Sequence, residues 1–471
     1  MKLVYGIGDK PKFGANLVFA IQQLLAIMTA TLVVPVIINN NIADEAMQME
    51  PAAALFGAGV GTLVYLLFTK FKSPVFLGSS FAFLGSMAMA FTGAATVAVG
   101  YAGLIIGAFL AGLVYVAIAL VVKLVGVGWL NKLMPTVVIG PTVALIGLSL
   151  AGSAVGDLSK GTGDLVARDI PYATIAVGIF TLIIVAVCAT FGKKMAKMIP
   201  FIIGILSGYA LSVVFTVIGD IAGIEAMQII KFGAFEELVA DGVGISTFVK
   251  LPTFTFINAL GGFKSVDATY LATVAAAYVP VAFVVFAEHV ADHKNISSII
   301  EKDLLEDPGL SRTLLGDGVG SMFGAFYGGC PNTTYGESVG CVAISGCASV
   351  YTIMTTAILA ILVSFVAPFV AFVNSIPPCV MGGVCMALYG FIAVSGLKMV
   401  QKVDLEKNRN LFVVSSILIS GIGGLTLTFG KVQITTIACA LILGIIVNLV
   451  LSSADKKEKI AESAEITEGE E

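Results

Sequence analysis

The segment GGCPNTTYGESVG, residues 328–340, interrupts two apolar stretches with a proline, an asparagine, two threonines and the acid Glu337. Pro331 disfavours helical backbone at Cys330 and has no N–H to donate, so the following residues are expected to be extended and to enter a helix near Tyr335. Non-helical backbone at membrane depth is tolerated only inside protein or beside a water-filled cavity. The segment therefore predicts a broken helix that lines a cavity. The alternative, a hydrophilic external loop, would leave only VGCVAISG before the next span.

The chain as a whole has the composition of a polytopic membrane protein. Of its 471 residues, 58% are hydrophobic and 12% are charged, which lies far outside the range of soluble globular proteins. A helix needs roughly 20 apolar residues to cross a bilayer, and long continuous apolar runs favour helices over the alternating strands of a barrel. Fourteen spans are predicted, near residues 16–38, 51–69, 74–92, 98–123, 133–152, 171–190, 199–221, 272–291, 313–328, 331–347, 349–373, 378–396, 411–428 and 433–452.

Lysine and arginine predict the orientation of these spans. With the amino terminus in the cytoplasm, 20 of the 26 lysine and arginine residues fall on the cytoplasmic side, as the positive-inside rule requires. This supports an even number of spans and predicts that both termini lie in the cytoplasm. The protein itself is expected in the cytoplasmic membrane. The opening residues lack the apolar core of a signal peptide, so the amino terminus is expected to be retained.

The cysteines and the net charge exclude several other classes of function. Seven cysteines lie almost entirely in predicted spans and form no C-x-x-C pair, which argues against a disulfide framework or a zinc site and favours small apolar packing. The net charge of −4 arises largely from the tail sequence EITEGEE and from external loops. No cofactor, no metal and no nucleic-acid partner is therefore predicted.

The fourteen spans divide into two sets of seven around a long external connection, about residues 222–271. An odd number of spans per half makes the halves inverted, and transporters of that kind bind substrate near the midplane between broken helices at corresponding positions. The third span of the first half contains SPVFLGSSFAFLGS (73–86), which matches residues 328–340 in kind: a proline, an extended run, small or hydroxyl residues, and then a helical pattern. Both segments therefore predict half-helices.

Few acids fall within the predicted spans, and intramembrane carboxylates are costly enough to indicate function. Glu288 and Asp292 are four residues apart in VVFAEHVADH and share one helix face. With Glu337 they are the principal candidates. For Glu288 the structural alternative is a protonated carboxyl group bonded to a backbone carbonyl.

The two histidines and a third aspartate are harder to assign from sequence. His289 points about 100° away from Glu288 on a helix, and His293 is expected near the cytoplasmic end of its span. For both histidines, the leading interpretation is an imidazole ring that makes its hydrogen bonds within a helix interface or near the headgroups. A metal site is disfavoured, since E-H-x-x-D-H is not a zinc spacing. Asp317 is interpreted either as the cap of the ninth helix or as a functional acid.

Six motifs, in order, resemble the nucleobase:cation symporter-2 family, also called nucleobase/ascorbate transporters. They are LGSSFAF (77–83), GVGWLNKLMP (126–135), AEHVADHKN (287–295), KDLLEDPGLSRTLLGDG (302–318), PNTTYGESVG (331–340) and PPCVMGGVCMALYG (377–390). The resemblance spares only the tail and part of the external connection, and it is strongest to the bacterial uracil-transporting branch. It implies a transporter and not an enzyme.

The resemblance also implies an architecture. The fold would be an all-α membrane protein of seven plus seven inverted spans, with short β-strands in spans 3 and 10 that meet at mid-membrane, assembled as a homodimer in membrane lipid. Its parts would be a core domain (1–127 and 272–376), a gate domain (128–222 and 377–452), an external connection (223–271) and a cytoplasmic acidic tail (453–471).

The family motifs imply the substrate-binding residues. These would be the carboxylates of Glu288 and Glu337, the backbone N–H groups of Phe81 and Gly336, the rings of Tyr335 and Tyr389, and Ala30 at the border of the site. Uracil would suit such a site, because its two N–H donors face carboxylate acceptors and its two carbonyl groups face helix amino ends.

Proton coupling is expected because burial disfavours the charged form of a carboxyl group. Glu288 or Glu337 would bind a proton outside and release it inside. Some relatives carry a histidine four residues after the position of Glu288, where this chain has Asp292, so either Asp292 or His293 is a candidate for that role. Asp317 is a further candidate.

The chain also departs from the family pattern. In ESVGCVAISG (337–346), Ser338 stands where the family usually has asparagine, whereas Glu337 favours the uracil branch over the xanthine and urate branch. Three alternatives stay open: a xanthine or urate permease, a channel or anion carrier on the same fold, and an intramembrane enzyme. The enzyme alternative lacks a recognisable activated nucleophile or metal site.

Overall fold

Helices make up most of the chain in the computed structural model, which describes residues 3–39, 41–42, 44, 47–126, 135–162, 172–193, 195–240, 242–429 and 432–468. Most of the GVGWLNKLMP motif and the last three residues of the tail lie outside these ranges. The main helices are α1 (Phe13–Asn39), α2 (Pro51–Phe68), α3 (Leu84–Thr92), α4 (Val97–Val125), α5 (Thr136–Ser149), α6 (Ala151–Asp157), α7 (Tyr172–Phe191), α8 (Pro200–Ala222), α9 (Ala268–Ile300), α10 (Leu310–Gly328), α11 (Gly336–Ser345), α12 (Val350–Val363), α13 (Ala367–Ser375), α14 (Pro378–Val400), α15 (Asn408–Ile422) and α16 (Thr436–Glu468).

Eight helical segments in the described part of the chain are long and apolar enough to cross a membrane. Shorter apolar helices occupy other positions where the sequence predicts spans. Boundaries agree closely in places, as for α8, which begins within one residue of the predicted 199–221. The prediction of an all-helical, multi-pass membrane protein is confirmed, whereas the count of fourteen spans stays a prediction.

Local sequence signals account for where several helices begin and end. Proline is the first residue of α2, α8 and α14, where its missing N–H costs nothing. The side chains of Thr96 and Asp267 accept hydrogen bonds from backbone N–H groups in the first turns of α4 and α9, which satisfies donors that a helix start leaves free. Gly223 ends α8 with a left-handed backbone, at φ 67°.

Glycine allows a close approach of the helix backbones of α2 and α10. A Cβ on Gly57 would lie 2.5 Å from the carbonyl oxygen of Gly324, and one on Gly61 would lie 2.7 Å from that of Gly320. Small residues in such interfaces let helix backbones touch inside a membrane. Helix α10 also packs against α4, while α14 packs against α5 and α7. Helix α2 also packs against Leu77–Ser79, and α10 packs against Asn332–Thr334.

Two strand pairs interrupt the helical architecture. Strands β1 (Leu77–Ser79) and β2 (Asn332–Thr334) pair antiparallel, and so do β3 (Leu427–Phe429) and β4 (Val432–Ile434). The second pair corrects the predicted span 411–428. Helix α15 ends at Ile422 because a Gly-Gly sequence follows, with Gly424 at φ 75°, and alternating leucine and threonine then favour a strand.

In the structure, two other segments also differ from the predicted spans. The span predicted at 349–373 is broken into α12 and α13, and Val366, between them, forms a β-bridge with Val249 of the external connection. The span predicted at 272–291 continues to Ile300 as one helix. That extension decides where Asp292 and His293 lie.

Candidate functional site

The site is organised by the antiparallel crossing of β1 and β2. Leu77 pairs with Thr334, Gly78 with Thr333 and Ser79 with Asn332. Two backbone hydrogen bonds extend the ladder, from the N–H of Ser80 to the carbonyl of Pro331 (2.9 Å) and from that of Tyr335 to the carbonyl of Phe76 (3.2 Å). All six strand residues are buried. The extended runs predicted from the two prolines are thus present, and they pair with each other.

Each strand leads directly into a helix. After β1 comes a single 3₁₀ turn, Phe81–Phe83, and then α3; after β2, α11 begins at Gly336. The first N–H groups of a helix lack partners within it and give its start a partial positive charge. Phe81 and Gly336, whose backbone N–H groups the family resemblance assigns to the substrate, thus stand at the two helical starts that follow the crossing.

Aromatic side chains border the crossing. The hydroxyl group of Tyr335 donates to the carbonyl oxygen of Ser79 at 2.7 Å, and its ring lies against Gly78, where a Cβ would approach ring atoms to 2.4 Å. The ring of Phe81 meets that of Tyr389, from α14, edge to face with centroids 6.1 Å apart. Tyr389 is 2% exposed. The turn after β1 and helix α14 thus contribute aromatic rings that contact each other beside the crossing.

Helix α9 carries its acids to the crossing. It packs against the Phe81–Phe83 turn, β2 and α11. Thr334 donates from Oγ1 to Oδ2 of Asp292 at 2.8 Å, and the position of a Cβ on Gly336 lies 3.9 Å from Oδ1 of Asp292. Asp292 therefore lies beside the start of α11, one helical turn beyond Glu288.

Glu288 lies near enough to three other carboxyl groups, those of Asp292, Glu337 and Asp317, to interact with them electrostatically. Glu337 stands in the first turn of α11, where the helix dipole favours negative charge. The residues predicted on separate halves of the sequence, Glu288 and Glu337, are thus brought into one site. The same region contains the starts of the Phe81–Phe83 turn and of α11, and the rings of Phe81, Tyr335 and Tyr389.

Asp317 belongs to a different group of side chains. It lies in the interior of α10, seven residues after Leu310, so of its two interpretations the helix cap is wrong and the functional acid stays a prediction. Its Oδ2 lies 2.6 Å from Nδ1 of His289, and Nε2 of His289 lies 3.0 Å from Oγ1 of Thr313. Asp317 and His289 are 1% and 0% exposed. The ring of His289 is therefore satisfied within a helix interface.

His293 lies deep in the protein and not at the end of a span as the sequence predicted, because α9 continues for seven residues beyond it. Its Nδ1 donates to the carbonyl oxygen of His289 (2.8 Å), and its Nε2 lies 2.7 Å from the hydroxyl oxygen of Tyr65. That hydroxyl also bonds Ser73 at 2.7 Å. The side chain of His293 therefore joins α9 to α2 and not to the crossing.

Sequence reasoning missed a polar link between α1 and α11. The amide of Gln23 donates to both the hydroxyl and the carbonyl oxygen of Ser338, and the hydroxyl of Ser338 accepts from the N–H of Phe76 at 3.2 Å. Ser338, noted only as a departure from the family pattern, ties α1, α11 and the entry to β1 together. Ala30 is buried in the same apolar cluster as Tyr335.

Metal ligands do not gather in the described residues, where no group of three or more histidine, cysteine, aspartate or glutamate side chains is placed to hold a metal ion. Within the same ranges all seven cysteines are free, and six are buried.

Fold and site together define a multi-pass helical membrane protein of the transporter class, with paired broken helices at its centre. The model of the Permease family matches residues 14–430, so the chain belongs to the Permease family, which confirms the resemblance found in its motifs. The chain is 37% identical to the uracil permease of Bacillus subtilis (strain 168) and 34% to that of Escherichia coli (strain K12), in each case over 98% of both chains.

Two kinds of solved structure share the fold. The transmembrane domain of the cyanobacterial bicarbonate transporter BicA matches with a TM-score of 0.59 and 16% identity, over 94% of this chain and all of that one. The murine anion transporter Slc26a9, in an inward-facing state, matches with a TM-score of 0.61 and 12% identity, over 95% of this chain and 69% of that one. At such low identity, these matches show the fold alone.

Proposed function

We propose that this protein is a proton-coupled symporter that imports a nucleobase, uracil, across the cytoplasmic membrane. The observation that carries the proposal is the crossing of β1 and β2, which directs two helix starts toward carboxylates from α9 and α11. A flat ligand with alternating donors and acceptors fits that arrangement. The relatives named uracil permease support the choice of uracil.

Binding would use both kinds of group at the crossing. The carboxylates of Glu288 and Glu337 would accept the two ring N–H groups, and backbone N–H groups at Phe81 and Gly336 would donate to the carbonyl oxygens. Hydrogen bonds to charged acceptors contribute on the order of 1.5–3 kcal/mol each. Tyr335, Tyr389 and Phe81 would enclose the ring.

Alternating access would expose the crossing first to one side of the membrane and then to the other. A cavity of about 1060 Å³ runs along α1 from Leu25 to Asn39, between that helix and residues of α8 and α14. Lys160, Lys231 and Lys250 line it, and all three belong to loops predicted to be external. We assign this cavity as the outer vestibule.

The division into a core and a gate domain fits the packing of the helices. Helices α1, α2, α4, α10 and α12 pack among themselves, and α5, α7, α8 and α14 pack among themselves. The vestibule lies between α1, of the first group, and α8 and α14, of the second. Relative movement of the two groups would close it, and a homodimer would hold one of them fixed in the membrane.

Coupling to protons would use carboxyl groups near the crossing. Glu288, Glu337 and Asp292 lie together there, so a proton bound among them would reduce their mutual repulsion and permit the substrate to bind. Asp317 and His293, each engaged in a separate buried contact, would act at most through α9 and not on the substrate.

Competition for uptake tests the substrate assignment. Uptake of labelled uracil is measured in cells that express the protein, with unlabelled uracil, xanthine or guanine as competitor and with or without a protonophore. The proposal predicts competition by uracil alone and loss of accumulation with the protonophore. Stronger competition by xanthine than by uracil would assign the chain to the purine branch.

An anion carrier is the second candidate, because the fold is shared with anion transporters. The acids at the crossing count against it, since they would repel an anion. Uptake of labelled bicarbonate or chloride into proteoliposomes is the direct comparison. Anion flux without uracil uptake would favour the carrier.

A further inference from the structure

A second, smaller cavity lies beside the crossing, next to the first residue of β2. Its lining includes Phe83, Tyr115, Asp317, Ser321 and Asn332. It is formed where α4 and α10 meet the 3₁₀ turn before α3 and the start of β2. It leaves about 10 Å³ for the centre of a water molecule, which is room for one water but not two.

Three polar atoms on this lining have no hydrogen-bond partner in the described structure: Oη of Tyr115, Oδ1 of Asp317 and Oδ1 of Asn332. Their residues are buried, with Tyr115 4%, Asp317 1% and Asn332 2% exposed. The amide nitrogen of Asn332 already donates to the carbonyl oxygen of Gly57 at 3.1 Å, so its oxygen is the free group. Leaving such atoms unpaired is costly.

We propose that this cavity is a binding site for one water molecule, which joins Tyr115, Asp317 and Asn332. Water matches the set of atoms: it would donate to the oxygens of Asp317 and Asn332 and accept from the hydroxyl of Tyr115. Three hydrogen bonds are the usual number for a buried water. A hard cation is a poorer fit, since such ions take six or more oxygen ligands.

The water positions the crossing from behind. Asn332 is the first residue of β2 and pairs with Ser79 of β1, while Phe83 belongs to the turn whose other end, Phe81, faces the proposed substrate. The bridge ties β2 to Tyr115 on α4 and to Asp317 on α10, while the ring of Phe83 lines the cavity. Asp317 is itself held by His289 through its second oxygen, so the site also connects β2 with α9.

A structure of the intact protein at a resolution that shows ordered water tests the site directly. Density for one water should lie within hydrogen-bonding distance, about 2.7–3.2 Å, of all three oxygens. An empty cavity would overturn the proposal. So would a peak with five or more oxygen neighbours that depends on sodium in the buffer, because that would identify a cation site.

Two tyrosine variants provide a matched test in solution. Tyr115 and Tyr278 both bury a hydroxyl group without a partner in the described structure, but only Tyr115 lines the cavity. Tyr115→Phe should lower the melting temperature of the purified protein, because the water loses one of its three partners. Tyr278→Phe should leave the melting temperature unchanged or raise it. Equal effects of the two variants would contradict the water site.

A kinetic readout connects the water to transport, and this part rests on the proposed function. Tyr115→Phe should raise the KM for uracil by about three- to tenfold, the loss of one hydrogen bond's net contribution, with little change in maximal rate. A KM equal to that of wild type would show that the water does not position the crossing. The structural and melting readouts need no substrate, so they hold or fail independently of the transport assignment.

Discussion

At the scale of residues, the four buried or half-buried acids have different surroundings although they lie close in space. Asp292 is held by the hydroxyl of Thr334 and Asp317 by the ring of His289, which satisfies part of the cost of placing a carboxyl group in a membrane. Glu288 lies one turn before Asp292 on the same face of α9, and Glu337 lies at the start of α11. The proposal assigns these two carboxyl groups to the substrate.

Replacement of Glu288 by glutamine should abolish accumulation of uracil against a gradient, because the amide keeps the shape of the side chain but cannot bind and release a proton. Uptake by the wild type should rise as the external pH falls, since protons then enter down a steeper gradient. Initial rates of labelled uracil uptake at several external pH values measure both effects.

The matched control is Glu306→Gln, which removes an exposed carboxylate before α10 and should transport like the wild type. If Glu288→Gln kept both its uptake and its pH dependence, Glu288 would not be the coupling residue.

At the scale of elements, the half-helices depend on a glycine that lets two segments touch. Gly78 in β1 pairs with Thr333 and supports the ring of Tyr335. The hydroxyl of Tyr335 in turn holds the carbonyl of Ser79. One contact therefore fixes the strand of the first half against the helix start of the second.

Gly78→Ala should reduce uracil binding at least tenfold, because its Cβ would approach ring atoms of Tyr335 to 2.4 Å and displace the ring toward the proposed site. Equilibrium binding of labelled uracil to the purified protein measures the effect. Gly85→Ala is the control, since nothing lies within 4 Å of a Cβ at that position in α3. Equal binding by the two variants would mean that the ring does not border the substrate.

Local chemistry made some elements predictable. The two prolines predict the extended runs, and the four-residue spacing of Glu288 and Asp292 predicts that they share a helix face. Contacts between distant parts of the chain could not be predicted from local sequence. The pairing of Asp317 with His289, and the links from His293 to Tyr65 and from Gln23 to Ser338, join different helices. Only the packed fold shows that Asp317 is no cap.

The turn after α15 was missed for a different reason. Its residues, a run of leucine, threonine and phenylalanine, are apolar enough to extend a membrane helix, so the sequence predicts a span as far as residue 428. Two glycines at 423 and 424 and the alternation that follows are the signals that favour a hairpin. Composition alone therefore lengthened that helix beyond Ile422.

At the scale of the whole molecule, the proposal requires a vestibule that opens to one side only. The cavity along α1 is bordered by the carboxyl end of that helix and by loops with lysine residues, whereas Phe13, at the amino end, is 84% exposed at the opposite end of the helix. The positive-inside rule predicts that this cavity faces the outside.

Cysteine labelling in intact cells tests this orientation. In a background that carries Cys188→Ser, Leu25→Cys in the cavity should react with a membrane-impermeant thiol reagent added outside. Phe13→Cys should react only after the membrane is permeabilised. Labelling of Phe13→Cys from outside would reverse the assignment of the two faces.

The most direct measurement of the central claim is a structure of the protein with uracil bound. The ring should lie at the crossing of β1 and β2, with its N–H groups within hydrogen-bonding distance of the carboxylates of Glu288 and Glu337. Its carbonyl oxygens should face the backbone N–H groups of Phe81 and Gly336. Uracil bound only in the vestibule, or out of reach of both carboxylates, would contradict the account.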